Sequence, residues 1–190
     1  MTSKRKSTPR TESRFEPCLE LILSLEGGYV NMSADRGGPT NCGIRQMLYD
    51  QWQDSLSRPR GPVELIDRED VAKIYQEWFW KASRCGDMPV PLDLALFDAS
   101  VHTGVPQAIK FLQKVLGATE DGLIGPQTLT AVARCQPVET AKRILNIRRV
   151  FYDSIVARQP VQRMFLQGWQ ARLDRIERSA VWSITKEVHG

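Results

Sequence analysis

With 190 residues, 42% of them hydrophobic and 25% charged, the chain has an ordinary globular composition and the length for one domain, or for one core with a small C-terminal extension. Its formal charge of +4 is concentrated in residues 1–14, where Lys4, Arg5, Lys6, Arg10 and Arg14 stand against Glu12, leaving the remainder formally neutral. A neutral body without a zinc-finger spacing, an RNA-binding aromatic motif or a recognition helix excludes specific nucleic-acid binding as the main function, and no apolar run is long enough to cross a membrane.

Residues 1–14 read as a basic leader. Serine and proline between the charges suit a disordered segment, while the charges themselves suit an anionic wall polymer or a membrane surface. The leader lacks the apolar stretch of a secretory signal, so the protein is expected to stay in a cytoplasm unless something else lets it out. Cys18, Cys42, Cys85 and Cys135 are too widely spaced for a zinc site and too sparse for a disulfide scaffold, and Cys18 beside an apolar stripe reads as a buried thiol.

The first predicted helix spans Phe15 to Glu26, with Phe15, Leu19 and Ile22 on one face and Glu26 continuing it. Gly27 and Gly28 should stop it, because glycine accepts a left-handed backbone and lets other atoms approach closely. Glu26 then stands at the negative end of a helix beside apolar neighbours, and both features favour the protonated form of its carboxyl. Such an acid can protonate a leaving oxygen in glycoside hydrolysis, although the same position also suits an ordinary solvated glutamate. Gly27 to Gly43 holds too many glycines, prolines and small polar residues for a helix; it reads as an irregular loop or short hairpin, with Tyr29 and Val30 extended, and as the wall of a cleft.

A second helix is expected from about Ile44 to Asp54, with Met47, Leu48 and Trp52 inward. After a loop at residues 57–62, Asp67 caps a helix whose apolar stripe is Val71, Ile74, Tyr75 and Trp78. Leu92 to Val101 is apolar on nearly every side and predicts a buried helix. Within it Asp98 needs partners, and His102, four residues on, could meet it as a structural pair that holds the helix end. Pro106 opens a helix closed by Gly117, and residues 121–128 form a structural turn into another proline-started helix. Two long helices follow, Val138 to Val156 and Val161 to about Ile176. The second carries Phe165, Leu166, Trp169, Leu173 and Ile176 on its packed face, and Arg172, Arg175 and Arg178 on a solvated one.

There is no phosphate-binding glycine loop, no His-Glu-x-x-His helix and no Gly-x-Ser-x-Gly elbow, and the only histidines are His102 and His189. Hydrolysis by carboxylates remains open.

Glu26-Gly27-Gly28-Tyr29-Val30, followed by Asp35-x-Gly37-Gly38-x-Thr40-Asn41-x-Gly43-Ile44, resembles the signature of the glycoside hydrolase family 108 muramidases, which include phage endolysins and secretion-associated enzymes. The resemblance continues through Tyr75-x-x-x-Phe79-Trp80 and Leu94-Ala95-x-Phe97-Asp98. From Ala108 onward it is to the peptidoglycan-binding region that usually follows. It implies a mainly α, lysozyme-like α+β fold, with a helical bundle-like core and a glycine-rich loop or short hairpin lining the cleft. The implied organisation is a leader at 1–14, a catalytic region at 15–104, a peptidoglycan-binding region at 105–180 packed into the same fold, and a tail at 181–190.

The implied reaction is cleavage of the β-1,4 bond between N-acetylmuramic acid and N-acetylglucosamine, without metal or organic cofactor. Glu26 would be the general acid and Asp35 a second carboxylate. Tyr29, Thr40 and Asn41 would bind substrate, with Gly27, Gly28, Gly37, Gly38, Asp98 and His102 in structural roles. His102 stands where the family usually has asparagine, and Met32-Ser33 where it commonly has Asp-Pro. The implied partners are glycan strands and, through the leader, anionic wall polymers. The implied state is a monomer held in the host cytoplasm until a holin or other route releases it. A non-catalytic peptidoglycan binder and a muramidase serving secretion are the alternatives.

Overall fold

The computed structural model describes residues 12–31 and 38–187; the leader up to residue 11, Asp35 and Gly37 lie outside them. The described residues are mainly α-helical with one small antiparallel hairpin, as the sequence predicts, and divide into two compact units at Trp78 and Phe79. Among them, no helix is long and apolar enough to cross a membrane, no cluster of three His, Cys, Asp or Glu residues could hold a metal ion, and all four cysteines are free.

The first unit contains α1 (Glu12–Leu25), the strands β1 (Thr40–Asn41) and β2 (Ile44–Arg45), α2 (Gln46–Ser55) and α3 (Arg68–Tyr75). Phe15, Cys18, Leu19 and Ile22 form the buried stripe of α1 at the spacing read from sequence. In α2 the buried positions are Tyr49, Trp52 and Gln53, and Met47 is 67% exposed, which corrects its expected inward position. Residues 49, 52 and 53 share one helix face, and at 100° per residue position 47 turns away from it. Asp67 caps α3 by accepting from the Asp70 backbone N–H at 2.7 Å. Arg58 then grips the buried Asp70 carboxylate at 3.1 and 3.0 Å, fastening the preceding loop to α3.

The second unit contains α4 (Leu92–Thr103), α5 (Val105–Leu116), α6 (Pro126–Val132), α7 (Pro137–Arg158) and α8 (Arg163–Glu187). Every residue of α4 from Leu92 to Ser100 is buried, and the helix packs against α5, α7 and α8. Helix α8 continues past Ile176 because no glycine or proline interrupts residues 169–187. The turn at Asp121 is structural: Gln113 Nε2 donates to Asp121 Oδ1 at 2.7 Å, while its Oε1 accepts from the Gly122 N–H at 2.9 Å.

Asp98 does not pair with His102. The fully buried Asp98 accepts from Arg172 Nε at 2.7 Å, and Arg148 Nη1 sits 2.7 Å from its other oxygen. Arg172 is itself buried, so its reading as part of a solvated face is corrected. It lies on the stripe of Trp169, Leu173 and Ile176, whereas Arg175 and Arg178 are exposed. Phe165 is a further correction: it is 47% exposed and stacks on Trp169 instead of joining the packed face.

Burial pushes the Asp98 carboxyl up, and the two guanidiniums overcome that, holding it below the usual carboxylate range. Arg148 also donates to the Tyr152 hydroxyl at 3.0 Å, which lies 2.7 Å from His102 Nδ1. The Tyr152 hydroxyl thus links Arg148 to the His102 ring. Burial, followed by repulsion from Arg172 and Arg148, lowers the His102 pKa to about 4.

A histidine whose folded pKa lies below its unfolded value withholds stability as pH falls, because the unfolded chain binds the proton first. Between pH 7 and pH 5 this costs about 2 kcal/mol. Thermal melts of His102→Asn should therefore lose less stability over that interval than wild type; parallel pH profiles would show that the imidazole takes up its proton equally in the folded and unfolded chain.

Candidate active site

Glu26 directly follows α1, and its backbone N–H still donates to the Ile22 carbonyl at 3.1 Å, so the helix delivers the side chain at its C-terminal end. The two glycines behind it do not act as the sequence suggests. Neither Gly27 nor Gly28 has a positive φ, and a Cβ at either would meet nothing within 4 Å. The glycine that matters is Gly43.

Gly43 lies in the two-residue turn between β1 and β2, whose register pairs Thr40 with Arg45 and Asn41 with Ile44. Cys42 and Gly43 have φ of 49° and 74°, the left-handed pair that matches the twist of a tight hairpin. Val30 extends this pairing, exchanging two backbone hydrogen bonds with Thr40 at 2.8 and 2.9 Å. The hairpin is further anchored by Gln46, which donates to the Gly61 carbonyl at 2.9 Å and accepts from the Val63 N–H at 2.7 Å.

A Cβ on Gly43 would lie 2.7 Å from the Tyr75 hydroxyl, 2.8 Å from Glu26 Oε2 and 2.9 Å from Glu26 Cδ. The carboxyl from the end of α1 and the phenol from α3 thus converge on one point above the hairpin turn. Tyr75 is buried and donates its hydroxyl proton to the Cys42 carbonyl at 2.8 Å, which ties α3 to the turn. A hydroxyl has one proton. That proton is committed to the turn. Glu26 itself is half-buried, open enough to meet a ligand.

The other site residues named from sequence are distributed as follows. Tyr29 is 41% exposed beside the paired Val30, where it can contact a ligand. Thr40 is half-buried in β1 and its hydroxyl reaches the Gly38 carbonyl at 3.4 Å, with Gly38 at φ 71°. Asn41 gives its amide nitrogen to the carbonyls of Val63 at 3.2 Å and Glu64 at 3.0 Å, so that end of the side chain anchors the hairpin. Asp98 and His102 belong to the buried network of the second unit. Sequence reasoning places Tyr75 only in an apolar stripe and a matched motif, and misses its part in the site. The signal it offers is chemical: a tyrosine buried among Val71 and Ile74 must find a hydrogen-bond partner for its hydroxyl.

Residues 19–104 match the Glycosyl hydrolase 108 family, and residues 107–174 match the family described as Predicted Peptidoglycan domain. The chain is also similar to the solved structure of Brucella abortus SagA, at 29% identity and a TM-score of 0.78, over 90% of this chain and 95% of that one. No curated protein matches it.

Gly43→Ala places a methyl group into the shared space at a φ that L-residues avoid. It should cost about 2 kcal/mol from the backbone alone, read as a lower urea midpoint. An unchanged midpoint would mean that the turn and both side chains move aside freely.

Proposed function

Because the chain belongs to the glycosyl hydrolase 108 family and carries a peptidoglycan domain behind the hydrolase one, we propose that it cleaves the β-1,4 bond between N-acetylmuramic acid and N-acetylglucosamine, with Glu26 as general acid. That it is a glycosidase-type enzyme acting on peptidoglycan follows from the family. The bond and the acid are the further reading.

The observation that carries the assignment is the convergence of Glu26 and Tyr75 over Gly43. In the proposed step the Glu26 proton passes to the bridging oxygen as its bond to the anomeric carbon breaks. Water adds to that carbon, and its proton returns to solvent through a second carboxylate. Asp35, in the glycine-rich segment between Val30 and Thr40, is our choice for that carboxylate. Tyr29 and Thr40, which flank the exposed pairing of Val30, are proposed to contact the sugars. Tyr75 is a positioning residue: fixed by its bond to the Cys42 carbonyl, it limits where the Glu26 carboxyl can go.

For its biological role we favour a phage-type endolysin that accumulates in the host cytoplasm and meets the wall after a holin opens the membrane. Neighbouring genes for a holin would agree with this; genes for a secretion apparatus would place the same chemistry in export.

Removing the acid alone should separate chemistry from folding. With soluble glycan strands, Glu26→Gln should lower kcat by about 10²- to 10⁴-fold with an unchanged melting temperature. Tyr75→Phe should lower kcat by about tenfold, the worth of one well-placed hydrogen bond, and leave KM unchanged. Near-normal release of reducing ends by Glu26→Gln would remove Glu26 from the reaction. An effect of Tyr75→Phe on KM alone would make the phenol a substrate contact instead.

A further inference from the structure

The second unit carries a groove of about 540 Å³ between α5 and α7 that the proposed chemistry does not use. Its floor is apolar. Phe111 is buried, the half-buried Phe151 crosses it edge to face with ring centres 5.3 Å apart, and Val150 beside them is 67% exposed. An occupant with apolar groups would remove this surface from water.

The rim is charged and of both signs. Lys110 and Lys114 stand one turn apart on α5, both exposed, and neither makes an ion pair with a described residue; Glu120 faces the groove from the following turn. Every residue lining the groove falls within 107–174, the stretch that matches the predicted peptidoglycan domain.

We infer that this groove binds the acidic stem peptide of peptidoglycan, with the two lysines taking peptide carboxylates, Glu120 taking a free amino group and the floor receiving alanyl methyls and methylene chain. The glycan strand offers no charge for such a rim, because its lactyl carboxyls are consumed in amide bonds to the peptide. The free carboxylates of the polymer are on the stems. A sugar would also seek an open ring face to stack on, whereas here the lower ring is buried and the two meet edge to face. A wall polyanion has no apolar portion for the floor and is repelled by Glu120.

The inference rests on the peptidoglycan reading for its choice of polymer, but it concerns a different surface from the cleft. It predicts that the chain holds the wall by its peptides while the first unit carries the acid for its sugars.

The test uses the full chain carrying Glu26→Gln and the tetrapeptide L-Ala-γ-D-Glu-meso-diaminopimelate-D-Ala, titrated by calorimetry at low salt. Saturable binding is expected, weakened about tenfold by the double substitution K110Q/K114Q, since each exposed ion pair is worth up to about fivefold, and weakened by added salt. Glycan strands stripped of peptide and then amidated at the freed lactyl carboxyls, so that they carry no charge, should bind both proteins equally. No saturable binding of the tetrapeptide overturns the inference, as does equal binding by the double variant or an equal loss for stripped glycan. Hydrolysis of stripped glycan by the wild-type chain is measured alongside. If it proceeds without tetrapeptide binding, the groove assignment fails and the cleft assignment stands; if the tetrapeptide binds and no glycan is hydrolysed, the groove assignment stands and the cleft assignment fails.

Discussion

The absence of a side chain at Gly43 is the constraint on which the candidate site depends. Three segments far apart in sequence meet there: the end of α1 with Glu26, the β1–β2 turn, and α3 with Tyr75. The turn needs a left-handed backbone at this residue, and the approach of the carboxyl and the phenol leaves no volume for a methyl group. One glycine meets both demands. The Tyr75 bond to the Cys42 carbonyl then locks the phenol to the turn, on which its only proton is spent. A short hairpin with little core of its own thereby becomes a fixed wall beside the Glu26 carboxyl.

The second unit is organised by charge in its interior. Two guanidiniums converge on the buried Asp98, an arrangement that is costly to desolvate and more costly to break. Burial, and then the repulsion of Arg172 and Arg148, oppose a positive charge on His102. The same network joins α4, α7 and α8 by directed bonds, so it fixes which residues of these helices face each other more strictly than apolar packing would. That specificity is separate from the chemistry assigned to Glu26.

What the sequence reveals is local. The α1 stripe ending in Glu26, the burial of α4, the Asp67 cap and the Asp121 turn are all legible, because each depends on periodicity or on partners a few residues away. What it hides is distant. Tyr75 meets Cys42 across 33 positions and Arg172 meets Asp98 across 74, and a helical stripe tells which face is buried without telling against what. The i,i+4 rule offers His102 to Asp98, but two arginines from other helices supply stronger, charged donors. Gly27 and Gly28 stand out as a pair, yet the glycine whose backbone and lack of side chain are both used is Gly43 in the next block of the same motif.

The Glu26 carboxyl, seated over Gly43 beside Tyr75, is proposed as the group that meets the scissile bond. The most direct measurement is a crystal structure of the Glu26→Gln protein with a glycan fragment spanning an N-acetylmuramic acid to N-acetylglucosamine linkage. The residue-26 carboxamide is expected within hydrogen-bonding distance of the bridging oxygen, with the strand running along the Val30 edge of the hairpin. A glycan bound with that oxygen out of reach of residue 26 would contradict it.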